Sequence, residues 1–292
     1  SSAASDVYKR QGQCGCRICY NYCYKRLYIH GGWGDSTELF KLTLNWIFRR
    51  AHGSHNGGVL FMDKMKKYAD GIYVREFADG ARLFMTGLPF NFRRYNVKNT
   101  NKFLRHFKMT DKPISKTRQK HTKNIIVDPH PGEYVGVDGF ITDGSPVMVV
   151  TADCIPILIK DKHSKRAALL HSGWRGVQKR IYCEAINKLG RRTELEAYLL
   201  PSIQKASFQV GEDFVREFKG RRDFNKFLTD DEKNPGKYYF DLQKFVKAEL
   251  IGAGLKANDI HISEHDTFTS EIFHSYRREK SDYGLNAIIY IP

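Results

Sequence analysis

The chain has 292 residues, 41% hydrophobic and 27% charged, an ordinary composition for a globular protein able to bury a full core. No run approaches the ~18–20 continuous apolar residues of a membrane-spanning helix, and the first residues lack the ~7–15-residue apolar core of a secretory signal, so no membrane contact and a cytoplasmic location are expected. The formal net charge of +16 favours anionic partners. Zinc-finger spacing, an RNP-type aromatic motif and a GXXG loop are missing, which argues against a dedicated nucleic-acid binder.

The opening SSAASDVYKRQ resembles translated adaptor sequence, and GQCGCRICYNYCYKRLYIHGGWG after it has neither a helical nor a strand period. Cys14, Cys16, Cys19 and Cys23 lack the paired Cys-x-x-Cys spacing and intervening loop of common zinc sites. Residues 1–61 are therefore expected to be a non-native or disordered leader, with a small metal knuckle as the alternative. One folded domain is expected over 62–292. Cys154 and Cys183 stand isolated, so no disulfide framework is expected.

From about residue 70, short β-like runs alternate with helical patterns. GIYVREF and ARLFMTGL, separated by the turn signal Asp79-Gly80, predict paired strands. Asn99 or Thr100 is a candidate cap for a helix running to Met109, with Phe103, Leu104 and Phe107 on one face. Strands are predicted over Asn124–Val127, Gly139–Thr142, Val147–Thr151, Ile155–Lys160 and Arg166–His171. Val177, Ile181, Ala185 and Leu189 recur at helical spacing and predict one helix from Trp174 to Leu189, stopped by Gly190. A second helix is predicted over Leu242–Ile251 behind an Asp241 cap, and YGLNAIIYIP reads as a buried terminal strand. Sequential strands broken by a few helices predict an α+β fold rather than a doubly wound sheet.

Between Lys98 and Lys123 the chain carries Lys102, Arg105, Lys108, Lys112, Lys116, Arg118 and Lys120. Such a run reads either as a solvated surface or as a groove that draws in phosphate-bearing substrates.

The chemistry concentrates in residues 138–176. VMVV ends in Thr-Ala-Asp-Cys, and RAALL ends in His171, followed by Ser172-Gly173 and a helix start at Trp174. Two strand ends thus present a thiol and an imidazole beside a helix N-terminus, whose free N–H groups favour an anion. The residues alone leave three readings: nucleophile and base, two ligands of a zinc site, or core packing.

DGFIT, TADCIPILI and HSGWRG, in this order and spacing, closely resemble the YfiH/laccase-domain family. That family includes proteins described as polyphenol oxidase, peptidoglycan editing factor and purine nucleoside phosphorylase. Gln119-Lys120-His121 stands where the family has Gln-x-His-Gly, and FHSYRRE at 273–279 resembles its C-terminal Phe-Ser-Tyr-Arg-Arg. The resemblance covers roughly residues 70–292. It implies a single layered α/β/β/α-type domain with mixed sheets, and a metal site of His121, Cys154 and His171. Two imidazoles and a thiolate suit zinc, with a fourth position left open; copper is the chemical alternative. A multicopper oxidase needs many more histidines in paired motifs, and the chain has no His-x-His.

The resemblance further implies action on purine nucleosides with phosphate: phosphorolysis, including that of methylthioadenosine, and deamination of adenosine. Zinc-activated water suits attack at purine C6. Cys154, His171 and Asp153 are then the catalytic candidates, Asp153 being alternatively a turn cap. Asn96, Gln119, Arg175 and Arg277 are the substrate-binding candidates, and Trp174 and Tyr276 either stack on a base or pack. A monomer is the simplest state. Lys120 and Thr122 depart from the family pattern. Residues 200–211 lack two of its glycines, its cysteine and its glutamate, Asp266 stands where a cysteine is frequent, and the early Gly-rich loop is shortened to Thr86-Gly87-Leu88-Pro89. These departures leave copper-linked phenol oxidation, a Cys–His hydrolase acting on a peptidoglycan precursor, and a degenerate binding protein as alternative readings.

Overall fold

The computed structural model describes residues 65–190, 194–221 and 223–292. The expected leader, with its four clustered cysteines, lies outside them.

The chain enters through three antiparallel strands, β1 (Lys66–Ala69), β2 (Ile72–Glu76) and β3 (Arg82–Thr86). Helix α1 (Val97–His106) follows, then β4 (Ser115–Arg118), β5 (Ile125–Val127), β6 (Gly132–Val135) and β7 (Gly139–Thr142). Next come β8 (Val147–Thr151), β9 (Ile155–Asp161), β10 (Ala167–Ser172) and two short helices, α2 (Trp174–Gln178) and α3 (Ile181–Leu189). The last part holds β11 (Leu195–Leu199), β12 (Gln209–Gly211), α4 (Glu212–Glu217), β13 (Leu228–Asp230) and β14 (Lys237–Phe240). It closes with α5 (Leu242–Gly252), β15 (Ile260–Ile262), α6 (Tyr276–Glu279) and β16 (Asn286–Ile291).

Two mixed sheets carry the architecture. One has the order β1-β2-β3-β16-β8-β4-β6, and the other β15-β11-β9-β10-β7-β5; β12, β14 and β13 form a small third sheet. Strand alternation assigns the layers. Val147, Val149, Ile288 and Tyr290 face Phe140, Leu158, Leu169 and Tyr198 in the core between the sheets. The opposite faces of the same strands, Met148, Ala287 and Ile289, pack on Phe103 and Leu104 of α1. Ile157, Ile159, Ala168 and Leu170 pack on Tyr182, Ala185 and Phe245 of α3 and α5. The result is the helix–sheet–sheet–helix layering that the resemblance implies.

Two boundaries differ from the sequence reading. Asn96, not Asn99 or Thr100, caps α1, its side chain accepting the Asn99 N–H at 2.9 Å. The single helix expected over Trp174–Leu189 is two, because Arg180 takes a left-handed conformation (φ 59°) between them. The four-residue apolar spacing persists across the break because Val177 and Ile181 still reach the same core. Asp241 caps α5 as expected, accepting the Lys244 N–H at 3.0 Å.

Candidate metal centre

The site lies where the chain crosses between the two large sheets. β4 belongs to one and β5 to the other, and the connection between them carries His121. β8 and β9 are likewise divided, and the tight connection Ala152–Cys154 joins them. His171 comes from the end of β10. Their ligand atoms lie within 4.8 Å of one another, with Cys154 Sγ 3.8 Å from His121 Nε2. No other group of three or more His, Cys, Asp or Glu side chains placed to hold a metal occurs among the described residues.

A buried carboxylate organises two of the three. Asp138 accepts the Nδ1–H of His171 at 2.8 Å, which turns Nε2 toward the cluster. The same carboxylate accepts the backbone N–H groups of Lys120, His121 and Thr122 at 3.2, 3.0 and 2.8 Å, and the Thr122 hydroxyl at 2.7 Å. These bonds hold His121 in a left-handed conformation (φ 55°) that non-glycine residues seldom adopt. Lys179 adds a bond from its ammonium to the His121 carbonyl at 2.8 Å.

The electrostatics follow from this packing. Burial raises the Cys154 thiol, but the charge of His171 and hydrogen bonds from both histidines outweigh it and bring the thiol down to about 6. Burial lowers His171 in turn, while the Cys154 thiolate and the Asp138 carboxylate more than compensate and raise it to about 9. Both shifts favour a thiolate beside an imidazolium. Held by both side chains, a metal would displace the imidazole proton.

Space supports the same donor set. A Cβ on Gly173 would stand 2.7 Å from His121 Cδ2 and 2.8 Å from Cys154 Sγ, so the backbone approaches both candidate ligands to a distance only glycine allows. Gly173 is extended with φ −68°, so close approach rather than conformation is what excludes a side chain. Two imidazoles and one thiolate, converging with room left between them, fit zinc or a single copper.

The cluster opens into a cleft of about 1220 Å³ that Asn96, Gln119, Asp153, Arg175 and Arg277 also line. Both Asp153 oxygens are engaged: Oδ1 accepts the Thr267 hydroxyl and Oδ2 the Arg277 N–H, each at 2.7 Å. Gln119 accepts the Val150 N–H at 3.2 Å and donates to the Val150 carbonyl, tying β4 to β8 where their ladder stops. Arg175 is exposed, its guanidinium 4.1 Å over the Trp174 ring, and Trp174 itself packs on Phe214. Arg277 is exposed and donates to the Gln209 carbonyl at 2.9 Å. Tyr276 is 58% exposed against Tyr283. Asp138 and Gly173 are not among the candidates that the sequence offers. Both stand inside its motifs, DGFIT and HSGWRG, but a carboxylate followed by glycine gives no signal of its own.

A sequence profile of the family described as multi-copper polyphenol oxidoreductase laccase matches residues 93–291. The chain belongs to this laccase-domain family. Relatives within its reach carry enzyme names of another kind. Adenosine deaminase RL5, from an unknown prokaryotic organism, is 34% identical over 48% of this chain and 56% of its own length. The match thus spans little more than half of that relative. The purine nucleoside phosphorylase of Aquifex aeolicus is 33% identical over 63% of this chain and 86% of that one, and that of Haemophilus influenzae 28% identical over 66% and 80%. YfiH of Bacillus licheniformis superposes with a TM-score of 0.70 at 18% identity, covering 78% of this chain and 98% of that one. YlmD of Geobacillus stearothermophilus gives 0.67 at 21%, covering 77% and 97%. The laccase-domain fold is thus shared with both. Among the described residues no helix is long and apolar enough to cross a membrane.

Proposed function

We propose that the chain is a zinc-dependent purine nucleoside phosphorylase that also phosphorolyses methylthioadenosine and deaminates adenosine, acting in the cytoplasm. The observation that carries this reading is the convergence of His121, Cys154 and His171 at the floor of a wide cleft, in a chain whose relatives bear purine-enzyme names. Bound by these residues, zinc supplies Lewis-acid activation of an oxygen nucleophile. Asp138 would keep the His171 Nε2 directed into the cluster that would hold the ion. Arg175 and Arg277 offer guanidinium groups to phosphate from the cleft wall, and Asp153 positions Arg277 by accepting its backbone N–H. Asn96 and Gln119 contribute polar surface for the nucleoside, each already held by the backbone around it.

The test is metal analysis of the wild type and Cys154→Ala, joined to a phosphate-dependent assay on a nucleoside panel. Stoichiometric zinc in the wild type, lost together with turnover in Cys154→Ala, is the expected result. Full zinc occupancy in that variant would remove Cys154 from the ligand set, and inertness toward every purine nucleoside would sink the purine reading. Copper in place of zinc, with phenol oxidation, is the reading of the family's description; a single three-residue cluster among the described residues does not favour several copper ions.

A second reading has its own support in the geometry. Cys154, His171 and Asp138 also form the sequence of thiol, imidazole and carboxylate that thiol hydrolases use. In that case alkylation abolishes activity and a chelator leaves it intact.

A further inference from the structure

The cleft carries more positive charge than a neutral nucleoside and one phosphate ion require. Seven of its lining side chains are Lys or Arg, against two carboxylates, Glu133 and Asp153. Glu133 is taken by Lys116 at 3.1 Å and also faces Arg118 at 4.0 Å, while Asp153 is closed by Thr267 and the Arg277 N–H. Arg93, Arg94, Arg175, Arg277 and Lys280 form no ion pair among the described residues.

These five fall into two groups by what holds them. Arg175 lies on Trp174, directly after Gly173, and Arg277 lies against the Gln209 carbonyl and the Phe208 ring. Arg93 belongs to another wall: its guanidinium donates to the carbonyls of Ser281 and Tyr283 at 3.0 and 3.1 Å and sits 4.4 Å over the Tyr283 ring. Arg94 follows Arg93 in the chain, and Lys280 precedes Ser281, whose carbonyl Arg93 holds; both line the same cleft. That wall leads onto α1, where Lys98, Lys102 and Arg105 are exposed at helical spacing. The basic run of the sequence is thus partly continuous with the rim of the cleft, an arrangement that draws anions toward it.

We propose that the cleft takes a purine nucleotide, the nucleoside with its 5′-phosphate in place, as its preferred substrate class. The inference rests on the purine reading above. Arg175 and Arg277 serve the phosphate of phosphorolysis near the ligand cluster, and the Arg93–Arg94–Lys280 rim receives the substrate's own phosphate. Neither a neutral nucleoside nor inorganic phosphate supplies counter-charge to both groups at once.

The experiment is calorimetric binding of adenosine 5′-monophosphate, adenosine and inorganic phosphate to the full-length protein over a range of salt. The monophosphate is expected to bind about tenfold tighter than adenosine or more at low salt, with the preference shrinking as salt screens the rim. Arg94→Gln/Lys280→Gln should abolish that preference and Arg94→Lys should retain it, with thermal melting showing both variants folded. Equal affinity for adenosine and its monophosphate overturns the proposal, as does inorganic phosphate binding as tightly as the monophosphate. Turnover of adenosine with no nucleotide preference removes this proposal and leaves the purine reading. A rim-dependent nucleotide preference without purine turnover supports the nucleotide site and removes that reading instead.

Discussion

The Nδ1–H of His171 donates to Asp138 at 2.8 Å, and the carboxylate that receives it also gathers three successive backbone N–H groups around His121. One buried acid thereby sets the tautomer of one histidine and the main-chain conformation of the other. Asp138→Asn puts an amide N–H against donors that need an acceptor. Metal affinity should fall by about 10–100-fold, the usual effect of losing an outer partner of a ligating histidine, as read by competition with a chromophoric chelator. Unchanged affinity would leave Asp138 a purely structural anchor.

Acid should act on the same group. Burial raises the Asp138 carboxyl, but the hydrogen bonds from His171 and Thr122 dominate and hold it well below the usual carboxylate range. Its folded pKa is therefore below its unfolded value of about 3.9. The stabilisation is present in full above that value and is lost as pH falls from there toward the folded pKa. Melting temperature should drop below pH ~4 in the wild type, and the drop should be shallower in Asp138→Asn. Parallel curves would show that other carboxylates govern acid unfolding.

Gly173→Ala tests the close approach of backbone to ligands. The added Cβ meets His121 and Cys154 at 2.7 and 2.8 Å, so His121 or the thiol must move. Far-UV circular dichroism should remain native while metal stoichiometry falls, because the conformation of Gly173 suits any residue. Wild-type metal content in this variant would mean the ligands have slack to yield.

Alkylation reports the coupled thiol directly. In metal-free protein, Cys154 should react with iodoacetamide along a profile with midpoint near pH 6, reaching its plateau by neutrality. Burial raises Cys183, so its labelling should lag until alkaline pH. Peptide mapping separates the two, and added zinc should protect Cys154 alone of this pair. A Cys154 midpoint in the ordinary thiol range of about 8.5 would refute the thiolate–imidazolium pair.

Asp153 distinguishes positioning from proton transfer. In Asp153→Asn the amide oxygen can accept the Arg277 N–H while its N–H₂ donates to the Thr267 hydroxyl, preserving both contacts. Turnover should stay within about threefold of wild type, whereas loss of a general base costs about 10²–10⁴-fold. Asp153→Ala breaks both contacts and should lower the melting temperature by a few degrees, about 2–4 °C per kcal/mol in a domain of this size.

Much of the strand framework is legible in the amino-acid pattern. Gly139–Thr142, Val147–Thr151 and the terminal strand are apolar runs bounded by turn residues, and the structure has strands there. β4 is not legible, because Ser-Lys-Thr-Arg has no apolar pattern; Ser115, Lys116 and Thr117 are buried by neighbours on both sides of the strand. Arg180 carries no left-handed signature, so the break between α2 and α3 is hidden inside a helical period.

By itself the sequence determined the apolar strands such as β7, β8 and β16 and, through its motifs' resemblance to a family, the candidate ligands, since hydropathy pattern and donor chemistry are written in short stretches of chain. The tertiary structure decided that two inter-sheet crossovers and the end of β10 bring His121, Cys154 and His171 together. It also decided that Asp138 orients them and that Gly173 leaves them room. The physical reason is range: those relationships join residues 16 to 52 positions apart, and only the packing of two sheets brings such residues into contact.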